Sequence, residues 1–283
     1  TFNREDVIER ALMSALGQTY DNYEIVIVDD GSTDNTKKLL EPYLSEKVRL
    51  IEHSENRGTT SARNTLLDNA RGEWIAFLSS DDELYPEAVE TIMQMALEFP
   101  DVNWFCAHMI DVENGEYACG SENAGYMTKG LMTRPNNGCN ESWYIAKKDA
   151  IGDERFIEGL NTFESEWQLR IADNLTKYFI NKPLYIYHTE YDNRVSKSYE
   201  NGTNTKSYDE QWLTVIKENP NYLIERIKNG LGGDFAWVIQ LLKDAGEDQL
   251  AQKQAGIAKQ HGIEVHQFVS SDTKIEVSFF ESL

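Results

Sequence analysis

Two pairs of adjacent carboxylates stand out in the sequence. One closes the run "YEIVIVDDGSTDNT" as Asp29 and Asp30; the other lies in "FLSSDDELYP" as Asp81 and Asp82. Each follows an apolar stretch and precedes turn-forming residues. Paired carboxylates of this kind suit a hard divalent cation. Magnesium or manganese takes one or two carboxylates and completes its shell with water and substrate phosphate. The same aspartates could instead cap the turn after their strand or favour a following helix dipole. A third acidic pair, Glu164 and Glu166 in "TFESEW", reads by itself as solvated helix positions.

Alternating helix and strand signals position these groups. Val7, Ile8, Ala11, Leu12, Ala15 and Leu16 fall on one helical face, with Asn3 and Asp6 as the expected N-cap arrangement and Gly17 as the stop. "EIVIV", "VRLIEH", "WIAFL" and "NWFCAHMIDV" read as strands. "TTSARNTLLDNA" and the stretch after Pro86 read as helices, and the helix near Leu39 is expected to bend at Pro42. Short β/α alternation of this type predicts a doubly wound, mainly parallel sheet flanked by helices. Ligands of such sheets bind outside the carboxyl ends of the strands. Both aspartate pairs are therefore expected to converge on one crevice. Residues 115–140 break into glycine, asparagine and short polar pieces, and after about Asp209 the chain turns helical. Its apolar stripe (Trp212, Leu213 and Ile216, then Phe235, Trp237, Val238 and Leu241) is expected to pack on the rest of the chain or, less simply, to mediate homo-oligomer assembly.

Composition narrows the partners. The chain has 283 residues and a net charge of −21, so nucleic acid and anionic lipid are disfavoured as direct partners. A phosphorylated substrate then needs a cation supplied at the site. Cys106, Cys119 and Cys139 form no C-x-x-C, which points to a reducing compartment rather than a disulfide framework. The longest apolar runs are too short to span a bilayer, and no signal peptide is visible. The expected location is cytoplasmic, with peripheral attachment to the inner face of the membrane left open. Glycine-rich dinucleotide and P-loop cradles, the nucleophile elbow and H-E-x-x-H are all missing.

"DDGSTDNT", "NRGTTSARN" and "SSDDELYP", at this order and spacing, resemble the nucleotide-binding half of family 2 glycosyltransferases of the GT-A fold. Weaker similarity runs through "GDERFIEGLNTFESEWQLRIA" and "PLYIYHTEYDNRVSKS". The resemblance implies a GT-A domain over 1–204 (1–110 facing the nucleotide, 111–204 the acceptor and catalysis) and a helical region over 205–283. It implies an inverting transfer from a nucleotide-sugar, most simply a UDP-sugar, to a glycan or lipid-linked acceptor, with Mn2+ or Mg2+ as cofactor. Thr1 and Asn3 match the loop beside the nucleoside, Asp30 with Asp29 the aspartates at the base or ribose, and Arg63 an arginine on the base. Ser79, Ser80 and Asp81 match the D-x-D motif. Asp82 and His188 join Asp81 as candidate metal ligands, and Arg194, with Ser196 and Lys197, matches a segment closing over the diphosphate. Glu164 matches the catalytic base, with Glu166 close enough to compete.

Three departures qualify that match. The family's first strand has no counterpart ahead of Thr1, Ser79 replaces the first D-x-D aspartate, and phenylalanine stands where an acid often precedes the base. A catalytically silent relative holding a nucleotide or glycan, and a nucleotidyltransferase on a similar sheet, are the competing readings.

Overall fold

The computed structural model describes residues 1–119, 124–127, 143–161, 163–190, 208–228, 234–263 and 265. The first helix, α1 (Ile8–Leu16), buries Ile8, Ala11 and Leu12, three members of the stripe read from the sequence. Its cap is Val7 rather than the Asn3/Asp6 arrangement, with no side-chain capping bond. Asn3, at φ 49°, is engaged elsewhere: its N–H donates to Ser32 Oγ (2.9 Å) and its Oδ1 accepts from Thr33 N (2.9 Å). β1 (Ile25–Asp29) pairs in parallel with β2 (Val48–Glu52), and the short helix α2 (Thr36–Leu40) between them gives way to a 3-10 turn at Glu41–Tyr43, where Pro42 interrupts the ladder. These elements enclose a small core of Ile8, Leu12, Leu40 and Val48.

The remaining strands are β3 (Trp74–Ala76), β4 (Glu83–Leu84), β5 (Trp104–Asp111), β6 (Tyr117–Cys119), β7 (Gly125–Tyr126), β8 (Trp143–Lys147) and β9 (Lys177–Tyr187). They build a seven-stranded sheet of order β3-β8-β5-β9-β4, with β6 on β5 and β7 on β9. The sheet is mixed, which corrects the expectation of a mainly parallel one. β5 and β9 are parallel, whereas β8 runs antiparallel between β3 and β5, and β4 antiparallel beside β9. β8 inserts between β3 and β5 in antiparallel register with both, Trp74 to Ala76 facing Lys147 to Ile145 and Trp104 to Ala107 facing Ala146 to Trp143, a pairing set by these distant partners. β1 and β3 share no ladder and instead line one cavity of about 1640 Å³.

Helices α3 (Thr59–Asn69), α4 (Ala88–Glu98), α5 (Lys148–Ile151) and α6 (Glu164–Ile171) flank the sheets. One face of the large sheet packs Trp104, Ile151, Phe156 and Trp167; the other packs Ile92, Phe105, Ile145 and Leu184. Trp143 and Trp167 are both buried, as is Cys106.

Among the described residues four helices follow: α7 (Tyr208–Glu218), α8 (Tyr222–Lys228), α9 (Phe235–Asp244) and α10 (Asp248–Gln260). The expected helical C-terminal region is present. Trp212, Ile216, Phe235 and Val238 are buried with one another and with Leu160 and Phe163, while Leu213, Trp237 and Leu241 pack partly buried against them. The stripe considered for assembly is thus used in an internal core.

Candidate active site

Thr1 approaches β1 where that strand ends. Its N–H group donates to Val28 O (2.6 Å) and its carbonyl accepts from Asp30 N (2.8 Å), the pattern of a parallel strand around Asp29. Asp29 is fully buried; its Oδ2 accepts from Ser32 N (3.0 Å), so it holds the turn "DDGS" together. Gly31 is required in that turn. It sits at φ +80°, and a Cβ there would meet the Glu55 backbone at 2.6 Å.

Asp30 is the hub of the next layer. Its Oδ1 accepts from Arg57 N (3.0 Å) and meets His53 Nδ1 (2.6 Å), and its Oδ2 accepts from Gly58 N (2.9 Å). His53 Nε2 in turn meets Thr65 Oγ1 (2.9 Å). The carboxylate expected at a nucleoside therefore also fixes the loop that starts α3. Sequence reasoning passed over His53. The parallel register of β1 and β2, which sets Asp29 beside Glu52, brings the residue after each strand end to its neighbour.

Thr1, Asn3, Arg4, Asp30, Arg63, Ser79, Ser80 and Asp81 all line the same cavity. Arg63 projects from α3 with its guanidinium 5.3 Å from the Phe77 ring and 5.6 Å from the Phe156 ring, and its Nη1 lies 3.0 Å from Glu164 Oε1. Glu164 opens α6 directly after Phe163, a non-glycine residue at φ 74°. A left-handed conformation at such a residue is costly and persists where packing over-determines it. Here the Phe163 ring is held edge-on to Trp212 at 5.2 Å and against Tyr208 at 5.8 Å.

The two candidate bases differ sharply in setting. Glu164 is a third exposed and faces Arg63, whereas Glu166 is 2% exposed on the opposite side of α6. Arg170 forks onto both oxygens of Glu166 (2.8 and 3.1 Å), and Asn219 Nδ2 donates to its Oε1 (3.1 Å). Burial pushes the Glu166 carboxyl up to about 7, with the Asn219 hydrogen bond acting the other way.

The acidic loop is likewise divided. Asp81 lines the cavity, 3.9 Å from Arg4 Nε, and its carbonyl accepts from Arg10 Nη2. Asp82 turns inward, accepting from Tyr185 OH (2.6 Å) and His188 N (2.9 Å); burial raises its carboxyl to about 6. The His188 ring sets Nδ1 against Glu190 (2.6 Å) and Nε2 against Glu83 (2.8 Å). Among the described residues no group of three or more His, Cys, Asp or Glu side chains could hold a metal. The trio Asp81, Asp82 and His188 is thus not assembled as a ligand set. Asp81 with the Ser79 and Ser80 oxygens remains on the cavity wall, a donor set compatible with a hard cation that draws its other ligands from water and phosphate. Arg194, Ser196 and Lys197 lie outside the described residues, as do most of residues 115–140 and Cys139.

Acidic and cationic side chains thus share one cavity outside strand ends, the place where α/β sheets bind their ligands. Residues 1–157, more than half of the chain, match glycosyl transferase family 2, and the chain belongs to that family. It is a glycosyltransferase. It is 29% identical over 241 residues to the uncharacterized glycosyltransferase YibD of Escherichia coli, covering 78% of this chain and 70% of that one. It is 36% identical over 101 residues, or 35% of this chain and 33% of the relative, to the GalNAc(5)-diNAcBac-PP-undecaprenol beta-1,3-glucosyltransferase of Campylobacter jejuni. The fold resembles that of S. aureus TarS 1-349 in complex with UDP-GlcNAc, with a TM-score of 0.61 at 17% identity over 99% of this chain and 95% of that one. Among the described residues no helix is long and apolar enough to cross a membrane.

Proposed function

We propose that the protein moves a sugar from a UDP-sugar to a hydroxyl of a glycan or lipid-linked acceptor with inversion at the anomeric carbon. The observation that carries this reading is the single cavity lined by Thr1, Asn3, Asp30, Arg63, Ser79, Ser80 and Asp81, with Glu164 paired to Arg63 at its edge. Glu164 takes the proton of the acceptor hydroxyl as that oxygen attacks the anomeric carbon, and the bond from that carbon to the diphosphate breaks. Arg63, paired to Glu164 and packed beside two aromatic rings, orients the carboxylate and presents a flat cation to the base of the nucleotide. Asp81, with Ser79 and Ser80, would hold Mn2+ or Mg2+, which when bound neutralises charge on the diphosphate. TarS was solved with UDP and with UDP-GlcNAc, which supports the choice of donor class.

Incubation with a panel of UDP-sugars, followed by analysis of released products, tests this reading. Free UDP from at least one donor is expected. Sugar-phosphate in place of UDP would mark a nucleotidyltransferase, and no turnover together with tight UDP binding would mark a silent relative.

A further inference from the structure

The motif "SARN" contributes a second side chain whose partners are as specific as those of Arg63. Asn64 is 5% exposed. Its Nδ2 donates to Phe156 O (2.9 Å), and its Oδ1 accepts from Phe156 N (2.8 Å). One side-chain amide therefore satisfies both backbone groups of a residue 92 positions away. That arrangement leaves Phe156 no alternative register, because a shift of either partner orphans two buried polar groups.

The preceding turn of α3 repeats the device. Thr60 N and Oγ1 both donate to Leu160 O (3.0 and 2.9 Å), and Thr60 Oγ1 accepts from Leu160 N (3.0 Å). Ser61 Oγ accepts from Gly159 N (3.0 Å), and Thr59 N donates to Asn161 Oδ1 (3.3 Å). Just ahead, Arg57 and Gly58 donate their N–H groups to Asp30. The first two turns of α3 and the loop ahead of them thus touch Asp30 on one flank and Phe156, Gly159, Leu160 and Asn161 on the other. The far side of that segment enters the C-terminal core through Leu160 and Phe163, and Phe163 is followed at once by Glu164.

We propose that Asn64 is a positioning residue for catalysis: by fixing the Phe156 backbone it sets where Glu164 stands relative to the nucleotide, and it acts on turnover rather than on donor affinity. This rests on the reading of Glu164 as the base. A hydrogen-bonded strap of this kind matters because a displacement of the base of about 1 Å costs on the order of a hundredfold in rate.

The test uses the full chain with Asn64→Ala, Glu164→Gln and the double variant. Three quantities are read: UDP affinity by calorimetry with Mn2+, UDP release from UDP-GlcNAc and UDP-glucose, and amide exchange of residues 156–163 by mass spectrometry. Asn64→Ala is expected to keep UDP affinity within about twofold, lower UDP release about 10- to 100-fold and speed exchange of the segment. In the Glu164→Gln background it should add no further loss of UDP release, since the group it positions is already disabled. A fully additive loss in the double variant, or unchanged exchange of 156–163, overturns the proposal. A UDP affinity lowered tenfold or more also overturns it. Normal UDP release by Glu164→Gln alone would instead sink the base assignment, a separate failure. A wild type that releases no UDP from either donor fails the proposed function itself and overturns the positioning role with it.

Discussion

Arg63 Nη1 stands 3.0 Å from Glu164 Oε1, joining α3, whose preceding loop Asp30 holds, to the first residue of α6 at the cavity's edge. Glu166, two residues on, faces Arg170 instead, so the two glutamates acquire different expected behaviour.

Glu164→Gln should lower transfer by about two to four orders of magnitude while UDP still binds, because the amide keeps the shape of the side chain and cannot take a proton. Glu166→Gln should act on stability instead. It breaks the charged fork with Arg170, whose Nη groups keep only Glu154 and the Arg155 carbonyl, at a cost on the order of 1–3 kcal/mol. Urea unfolding and UDP release, measured on both variants, distinguish these outcomes; loss of UDP release without loss of stability in Glu166→Gln would reverse the assignment.

Gly58 sits at φ +91°, where a Cβ would meet Leu160 O at 2.9 Å. Gly58→Ala should therefore destabilise the chain by on the order of 1–3 kcal/mol and weaken the loop that Asp30 holds. A thermal midpoint equal to that of the wild type would contradict this.

Phe163 combines a left-handed backbone with a ring in the C-terminal core. Phe163→Ala should cost about 3–5 kcal/mol through lost packing. Proteolysis is expected to release the helical region after residue 208 sooner in this variant than in wild type, and equal rates would count against the core serving as the seat of Glu164.

Lys177 is buried over the Trp104 ring at 5.7 Å, and burial pushes its ammonium down to about 8. The folded chain then binds fewer protons than the unfolded one between about pH 8 and the ordinary lysine value of 10.5. Stability contributed by this group must rise with pH across that window, and at pH 7 the buried charge costs on the order of 1–3 kcal/mol. Lys177→Met should stabilise the chain at pH 7, with the gain fading by pH 10.5. A gain that is the same at both pH values would show that the charge is not its source.

The parts of the fold governed by local pattern were legible in the sequence. The stripe from Val7 to Leu16 forms α1, the β-branched run forms β1, and Pro42 ends α2 as its missing N–H requires. What escaped was set by distant partners. Nothing local to "WYIAK" says that it lies antiparallel between β3 and β5. Asn3 looks like a cap until the turn at Ser32 and Thr33 claims its side chain and N–H. At the site, the motifs identified Asp30, Arg63, Ser79, Ser80 and Asp81 as neighbours of one cavity, a consequence of strand ends meeting on one edge. They could not show that Asp82 faces Tyr185 of β9 and His188 just after it, a hundred residues later. Nor could they show that Arg4 and Arg10 approach Asp81 from α1 and its approach.

A cavity that binds a nucleoside diphosphate through a cation held at Asp81 must bind UDP only when that cation is supplied. Calorimetric titration of UDP with and without Mn2+, on the wild type and on Asp81→Asn, measures this. Micromolar binding that needs the metal and is lost in the variant is expected; equal UDP binding by both proteins, or binding that ignores Mn2+, would rule the cation site out.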